Sequence, residues 1–213
     1  MQTDLMTILV EGVRALELEI TPLQQQQVLL YLQLLLKWNR VYNLSALRTP
    51  EEILVRHILD SLTVIAPLQR HTQGKPICVL DVGSGAGLPG VMIAVMCPEI
   101  NVLCVDAVAK KTAFVRQVAG SLALNNLRAC HTRVEELRDV FDVVISRAFS
   151  SLVDFCTLSV QTLAVNGVWL AMKGKQPEVE IAALPPEVEM FHMEQVHVPG
   201  LRAERCLVWM RRA

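Results

Sequence analysis

Asp81-Val82-Gly83-Ser84-Gly85-Ala86-Gly87-Leu88-Pro89-Gly90 is the stretch that decides the fold. An apolar run at 77–82 leads into it, and a second apolar run, 91–96, leaves it and stops near Pro98. A short apolar run bounded by glycine reads as a buried parallel strand, and the run behind the glycines reads as a helix. Glycines at such a turn let the backbone fold sharply and approach a ligand closely. The helix start behind them offers free N–H groups. Together these supply the strand–loop–helix setting that a cofactor loop needs.

Three readings of the loop remain open on its residues alone. Gly85-x-Gly87-x-x-Gly90 satisfies the dinucleotide fingerprint, with Asp106 downstream to hold ribose hydroxyls. Asp81 with Gly83-x-Gly85-x-Gly87 matches motif I of the S-adenosylmethionine-dependent enzymes. There the acid at the strand end helps place the amino-acid end of the cofactor, and Asp106 again takes the ribose. The third reading is a glycine-rich turn that holds no ligand.

Downstream, the pattern repeats strand and helix. Strands are expected at 101–105, 127–131, 141–145 and 168–172, with helices at 110–123 and 152–163. Alternation of this kind implies a parallel sheet covered on both faces. The last two strands, 190–198 and 206–210, are separated only by a loop containing Pro199-Gly200, which allows an antiparallel pair but no helical crossover. Upstream, residues 1–75 read as helices. Thr21-Pro22 and Thr49-Pro50-Glu51-Glu52 are N-cap and first-turn signals, and Leu23, Val28, Leu29, Leu32, Leu35 and Leu36 form an apolar face at helical spacing. Residues 38–44 read as a polar-aromatic connector. The fold expected is therefore α/β: a doubly wound, Rossmann-like sheet ending in an antiparallel hairpin, the arrangement typical of class I methyltransferases. It divides into an N-terminal helical extension, 1–75, and a cofactor-binding domain, 76–213.

Two further places sit where ligands bind in open parallel sheets, at the carboxyl ends of strands. Thr132-Arg133-Val134-Glu135-Glu136 follows the third strand, where a methyltransferase seats adenine. A backbone amide there can read the ring edge and Glu135 can accept a hydrogen bond. The same residues also form a possible capping box, Thr132 to Glu135. Arg147 ends the fourth strand.

Composition narrows the class. The chain has 213 residues, 52% hydrophobic and 19% charged, with net charge −1, so it folds around a core and any nucleic-acid contact must be a local patch. Residues 37–75 carry six Lys or Arg against three acids, which suits such a patch or a solvated helix face. The six cysteines lack C-x-x-C spacing, so no zinc site is expected and they read as core hydrophobes. Asp4 and Glu11 interrupt any leader, and the apolar run 28–36 is too short to span a bilayer. A cytoplasmic protein with no metal and no membrane contact is expected.

Beyond the single loop, the chain resembles a known family. Lys37-Trp38-Asn39, Tyr42-Asn43-Leu44, Val55-Arg56-His57-Ile58-Leu59-Asp60-Ser61, the glycine loop, Arg133-Val134-Glu135-Glu136, Ile145-Ser146-Arg147-Ala148-Phe149, Leu170-Ala171-Met172-Lys173-Gly174 and Glu204-Arg205 together span about four-fifths of it. In that order they resemble the bacterial small-subunit (16S) ribosomal RNA guanine-N7 methyltransferases, the glucose-inhibited division protein B or RsmG family. The resemblance implies S-adenosyl-L-methionine as cofactor and a guanine of small-subunit ribosomal RNA, free or in the subunit, as target. It also implies cofactor contacts at Gly83, Leu88, Val134, Glu135 and Arg147, with Asp106 at the ribose. Arg133, Lys173 and Arg205 would line the RNA-facing side. Ser84, Ala86, Ser45 and Ala107 depart from the family's usual threonine, proline, threonine and serine.

The chemistry implied needs no acid, base or nucleophile, because guanine N7 carries a lone pair and no proton; catalysis is alignment. Arg147 is then expected to orient the cofactor carboxylate or a phosphate, and Lys173 and Arg205 to hold phosphates. Phe149 and Trp38 are candidates to stack on the base, with core packing as their plainer role. His57 is expected to be a packing histidine, and Asp60 and Ser61 to anchor their helix to the glycine loop. Nothing suggests an obligate dimer. The alternatives are a nicotinamide-dependent oxidoreductase and a non-catalytic RNA-binding assembly module.

Overall fold

The computed structural model describes residues 2–213. Its centre is a seven-stranded sheet in the order β3-β2-β1-β4-β5-β7-β6. The strands are β1 (Cys78–Val82), β2 (Asn101–Asp106), β3 (Leu127–His131), β4 (Phe141–Arg147), β5 (Leu163–Lys173), β6 (Val188–Val196) and β7 (Arg205–Arg212). The first five run parallel, while β7 is antiparallel to both β5 and β6. The expected doubly wound sheet with a terminal hairpin is therefore present.

Alternate residues of each strand enter two different cores, as a period of two requires. Val79, Val143, Ile145, Leu170 and Trp209 face one side, and Leu80, Val144, Trp169, Val208 and Met210 the other. The first side is covered by α1 (Gln2–Ala15), α2 (Pro22–Tyr42), the helical turns at 50–72, α6 (Gly90–Met96) and α7 (Ala109–Ser121). The second is covered chiefly by α8 (Leu152–Ser159). The turns between 50 and 72 are α3 (Pro50–Ile53), a π-helical segment (Leu54–Leu59), α4 (Asp60–Leu62) and α5 (Ile65–Thr72).

Local signals explain most boundaries. Thr21 accepts from the N–H of Gln24, and the Gln24 side chain accepts from the Thr21 N–H, a reciprocal capping box. Helix α2 continues through Trp38 to Tyr42, so the expected connector is in fact its last turn. It stops at Asn43, which takes the left-handed conformation (φ 49°) that asparagine tolerates. Its buried stripe is Val28, Tyr31, Leu32, Leu35 and Asn39, at helical spacing, whereas Leu23 is 64% exposed and lies off it.

Two further expectations change. Helix α8 ends at Ser159 and tightens to a 3-10 turn at Val160–Thr162. The Ser159 hydroxyl donates to the Phe155 carbonyl and the Thr162 hydroxyl to the Ser159 carbonyl, bonds that compete with the helix ladder. Strand β5 then starts at Leu163, five residues earlier than its apolar core suggests, through an irregularity opposite Phe141 and Val143. A short helix, α9 (Glu178–Ala182), follows β5 with no apolar face to announce it. Four of the six cysteines are buried, while Cys78 is exposed and Cys130 half-buried; all are free thiols.

Candidate active site

From β1 the chain winds outward to β2 and β3, then returns to place β4 on the other side of β1. Such a switch point leaves a crevice beyond the strand ends. A cavity of about 400 Å³ lies there, with Val82 and Gly83 at its base, Asp106 and Val134 at its sides, and Arg147 and Phe149 on the β4 side. A second cavity of about 200 Å³ shares Gly83, Arg147 and Ala148 with the first. Its far wall comes from the N-terminal segment: Ser45 in the loop after α2 and His57 in the helical turns at 50–72.

The glycine loop is built to come close. Gly83 has φ +65°, a left-handed value that disfavours side chains, and an added Cβ would point at the Phe149 ring 3.9 Å away. A Cβ at Gly90 would lie 2.6 Å from Cys104 Sγ and 2.9 Å from Asp81 Oδ2, so α6 can seat against β1 and β2 only with glycine there. Gly85 donates its N–H to Asp106 Oδ2 at 3.0 Å, and buried Tyr31 donates its hydroxyl to the Ala86 carbonyl at 3.0 Å.

Asp81 was expected, at the strand end, to help place the amino-acid end of the cofactor. It is 0% exposed and lines neither cavity. Its Oδ2 accepts from the Gly90 N–H at 2.8 Å, fixing the start of α6, while its Oδ1 is buried with no hydrogen-bond partner among the described residues. Burial pushes its pKa up to about 7, opposed by the Gly90 hydrogen bond and by Arg147.

Asp106 does line the cavity, at 6% exposure. Its Oδ1 accepts from the Val108 N–H at 2.9 Å and its Oδ2 from Gly85 and from Lys111 Nζ at 3.3 Å. A carboxylate offers about four acceptor positions, so one stays open for a hydroxyl. Leu88 is in the second cavity, not the first, and Gly85 is beside it there. Val134 is buried and Glu135 exposed at the wall of the first. The expected capping box from Thr132 to Glu135 does not form: the Thr132 hydroxyl donates to the Glu136 carboxylate instead.

The basic residues differ in freedom. Arg133 is exposed at the rim. Lys173 is 12% exposed and paired with Glu180 Oε2 at 2.7 Å. Arg147 and Arg205 both pair with Asp60, at 3.0 and 2.7 Å. Asp60 therefore ties its turn to these arginines and not to the glycine loop, and the Ser61 hydroxyl donates to the His57 carbonyl. Ser45 Oγ and His57 Nε2 are 2.7 Å apart. Burial, then the nearby Arg147 charge, lowers the His57 pKa to about 4, so its ring is neutral at pH 7. Trp38 lies away from the cavities: it packs on Phe114 and Tyr42 and donates its indole N–H to Gln117. Phe149 does line the first cavity, with Phe155 behind it at 5.6 Å.

Sequence reasoning missed Lys111 on Asp106 and the pairings made by Ser45 and Asp60. The signal for Asp60 was present, since an acid in the apolar turn Ile58-Leu59-Asp60-Ser61-Leu62 must find a cation if it is buried. Among the described residues, no group of three or more His, Cys, Asp or Glu is placed to hold a metal ion. No described helix is long and apolar enough to cross a membrane.

Comparison with known proteins agrees with this geometry. The family model GidB, rRNA small subunit methyltransferase G, matches residues 24–208. The ribosomal RNA small subunit methyltransferase G of Methylibium petroleiphilum is 58% identical over 203 residues, covering 95% of this chain and 92% of its own. That of a Polaromonas species is 57% identical, covering 94% and 90%. Among solved structures, TrmN from Thermus thermophilus superposes with a TM-score of 0.58 at 18% identity, covering 75% of this chain and 53% of its own, a likeness of fold. These matches favour the methyl-donor reading of the loop over the dinucleotide reading and over a non-catalytic module.

Proposed function

The chain belongs to the GidB family, rRNA small subunit methyltransferase G, and from that premise we propose that it transfers a methyl group from S-adenosyl-L-methionine to N7 of a guanine in small-subunit (16S) ribosomal RNA. The observation that carries the reading is the cavity at the β1–β4 switch point, where Gly83, Asp106 and Arg147 meet. The residues present suit the cofactor. Gly83 leaves backbone bare at the base, and Asp106 keeps an acceptor position for a ribose hydroxyl. The buried Val134 and exposed Glu135 offer an apolar surface and an acceptor to an adenine.

Bound S-adenosylmethionine supplies a methyl group made electrophilic by its sulfonium. What this chain supplies is placement, because N7 attacks through a lone pair and gives up no proton. Gly83, Gly85 and Leu88 shape the loop against the cofactor, and Asp81 holds that loop by the Gly90 N–H. Arg147, lining both cavities, orients the cofactor carboxylate. Positive charge passes to the guanine ring during transfer, so a cation beside N7 would oppose it. The neutral His57 ring in the second cavity respects that demand. Arg133, Lys173 and Arg205 hold RNA phosphates at the rim, which positions without reading sequence. The helical extension, residues 1–75, walls the second cavity beside the domain 76–213.

One chain carries the loop, the ribose acid and the basic rim, so the enzyme acts as a monomer, in the cytoplasm where its ribosomal substrate is. The test is incubation of purified protein with labelled S-adenosylmethionine and small subunits that lack the modification, followed by nucleoside mass spectrometry. N7-methylguanosine at one position is the expected result. No transfer to subunits, free RNA or earlier particles, with no cofactor binding, refutes the proposal.

A further inference from the structure

The block Val55-Arg56-His57-Ile58-Leu59-Asp60-Ser61 has a shape of its own: residues Leu54–Leu59 are wound as a π-helix. π-Turns shift the backbone hydrogen bonds and are frequent at functional sites. Here the His57 carbonyl accepts two side-chain donors, Ser61 Oγ at 2.6 Å and Arg147 Nη1 at 3.3 Å, besides the backbone N–H of Asp60. The same turn delivers Asp60, 4% exposed, to the ends of the strands.

Arg147 ends β4 and Arg205 begins β7, with β5 between them in the sheet. Two guanidinium groups brought to one place repel each other. The Asp60 carboxylate opposes this by taking one group on each oxygen: Oδ2 from Arg147 Nη1 at 3.0 Å and Oδ1 from Arg205 Nε at 2.7 Å. A buried carboxylate needs one cation to offset its desolvation, and this one holds two. Each arginine is gripped by part of its fork only. Arg205 gives Nη1 to the Glu204 carbonyl, and among the described residues its Nη2, like Nε and Nη2 of Arg147, makes no hydrogen bond. Arg147 lines both cavities, and Arg205 lines a separate surface groove with Arg202.

We propose that Asp60 is a positioning residue for RNA methylation: it presets Arg147 and Arg205 as a pair and leaves one face of each guanidinium for anionic groups of cofactor and RNA. The inference rests on the proposed methyl transfer. It assigns the helical extension a part in that reaction, since the carboxylate comes from the extension and the arginines from the sheet.

The test has two arms on the full chain. In the first, Asp60→Asn is assayed on small subunits alone and combined with Arg205→Gln. Expected is a rise in KM for the subunit of about tenfold, the equivalent of one lost charge-assisted contact, with a smaller change in kcat. In the Arg205→Gln background the same substitution should cost much less. Activity within twofold of wild type, or losses that multiply independently, overturns the proposal. The second arm needs no variant: in wild-type protein the Arg205 Nε–H resonance should exchange slowly with water, and exchange as fast as in an exposed arginine overturns the clamp even if Asp60→Asn does not fold. If wild type methylates no small-subunit RNA, the methyl-transfer reading is what fails, and the exchange measurement still judges the clamp by itself.

Discussion

The N–H of Gly90 donates to Oδ2 of Asp81 at 2.8 Å, tying the first turn of helix α6 back to the strand that feeds the glycine loop. Asp81 is fully buried, and burial raises its pKa from 3.8 to about 7. Because the folded value lies above the unfolded one, the folded state binds the extra proton between pH 4 and 7. Wild-type stability therefore falls as pH rises through that window. Asparagine keeps an oxygen for the Gly90 N–H and cannot ionise. Asp81→Asn should melt progressively higher than wild type as pH goes from about 4 to about 8, the window of the shift. Thermal melts of both proteins across pH check this; a difference that does not change with pH would show that the carboxylate is not carrying a burial penalty.

Packing around the same turn gives a second prediction. A methyl group at Gly90 would meet Cys104 Sγ at 2.6 Å and Asp81 Oδ2 at 2.9 Å, both buried. Gly90→Ala should destabilise by about 1–3 kcal/mol through overpacking. Gly120, inside helix α7, has nothing within 4 Å of an added Cβ. Gly120→Ala should stabilise by roughly 0.5–1 kcal/mol through helix propensity and reduced unfolded-state entropy. Urea unfolding midpoints measure both, and opposite signs are required.

What could be read from the sequence follows the range of the forces involved. The loop from Asp81 to Gly90 and the strands of the parallel sheet were legible because glycine conformation and apolar runs are local signals. So was Asp106 at the cavity, since the end of β2 is fixed by topology. The direction of the Asp81 side chain was not legible because a motif gives spacing and not direction, and the carboxylate turns into the core under α6. The pairs Asp60–Arg205 and Lys173–Glu180 were not legible as pairs: the first joins residues 145 positions apart, and the second depends on the short helix α9, none of whose residues is fully buried. Helix α2 ran past its expected end because Trp38 and Asn39 bury against α7 and the following loop, a tertiary gain that local polarity does not reveal.

The Ser45–His57 contact ties the loop after α2 to the wall of the second cavity. The Arg56 carbonyl lies 3.2 Å from His57 Nδ1, which favours the proton on Nδ1 and leaves Nε2 to accept from the Ser45 hydroxyl. Burial and Arg147 depress the His57 pKa to about 4, below its unfolded 6.5. The stability linked to this neutral ring is complete above pH 6.5 and is lost as pH falls toward 4. His57→Gln should flatten that acid-side decline, and the His57 ring should stay neutral at pH 5.5 by NMR, a value between the two pKa figures. Ser45→Ala should cost about 1 kcal/mol, because it leaves a part-buried nitrogen without its donor.

Lys173, proposed to face RNA, is already paired within a chain of net charge −1. Its ammonium pairs with Glu180 Oε2 at 2.7 Å, and that same oxygen accepts from the Leu152 N–H at 2.8 Å. To hold a phosphate the lysine must leave this carboxylate, so part of its attraction for RNA is offset in the free protein. Arg133, exposed at the rim, has no such competitor among the described residues. Arg133→Ala should therefore weaken RNA binding and reduce the slope of log K against log salt by about one, the loss of a single phosphate contact. Glu180→Gln should act the other way. It keeps an oxygen for the Leu152 N–H, frees the Lys173 charge, and should tighten RNA binding severalfold at low salt while making the salt slope steeper by up to about one. Filter-binding titrations at several salt concentrations measure both. Unchanged or weaker binding by Glu180→Gln would assign Lys173 to holding helix α9 on the sheet and remove it from the RNA-facing set.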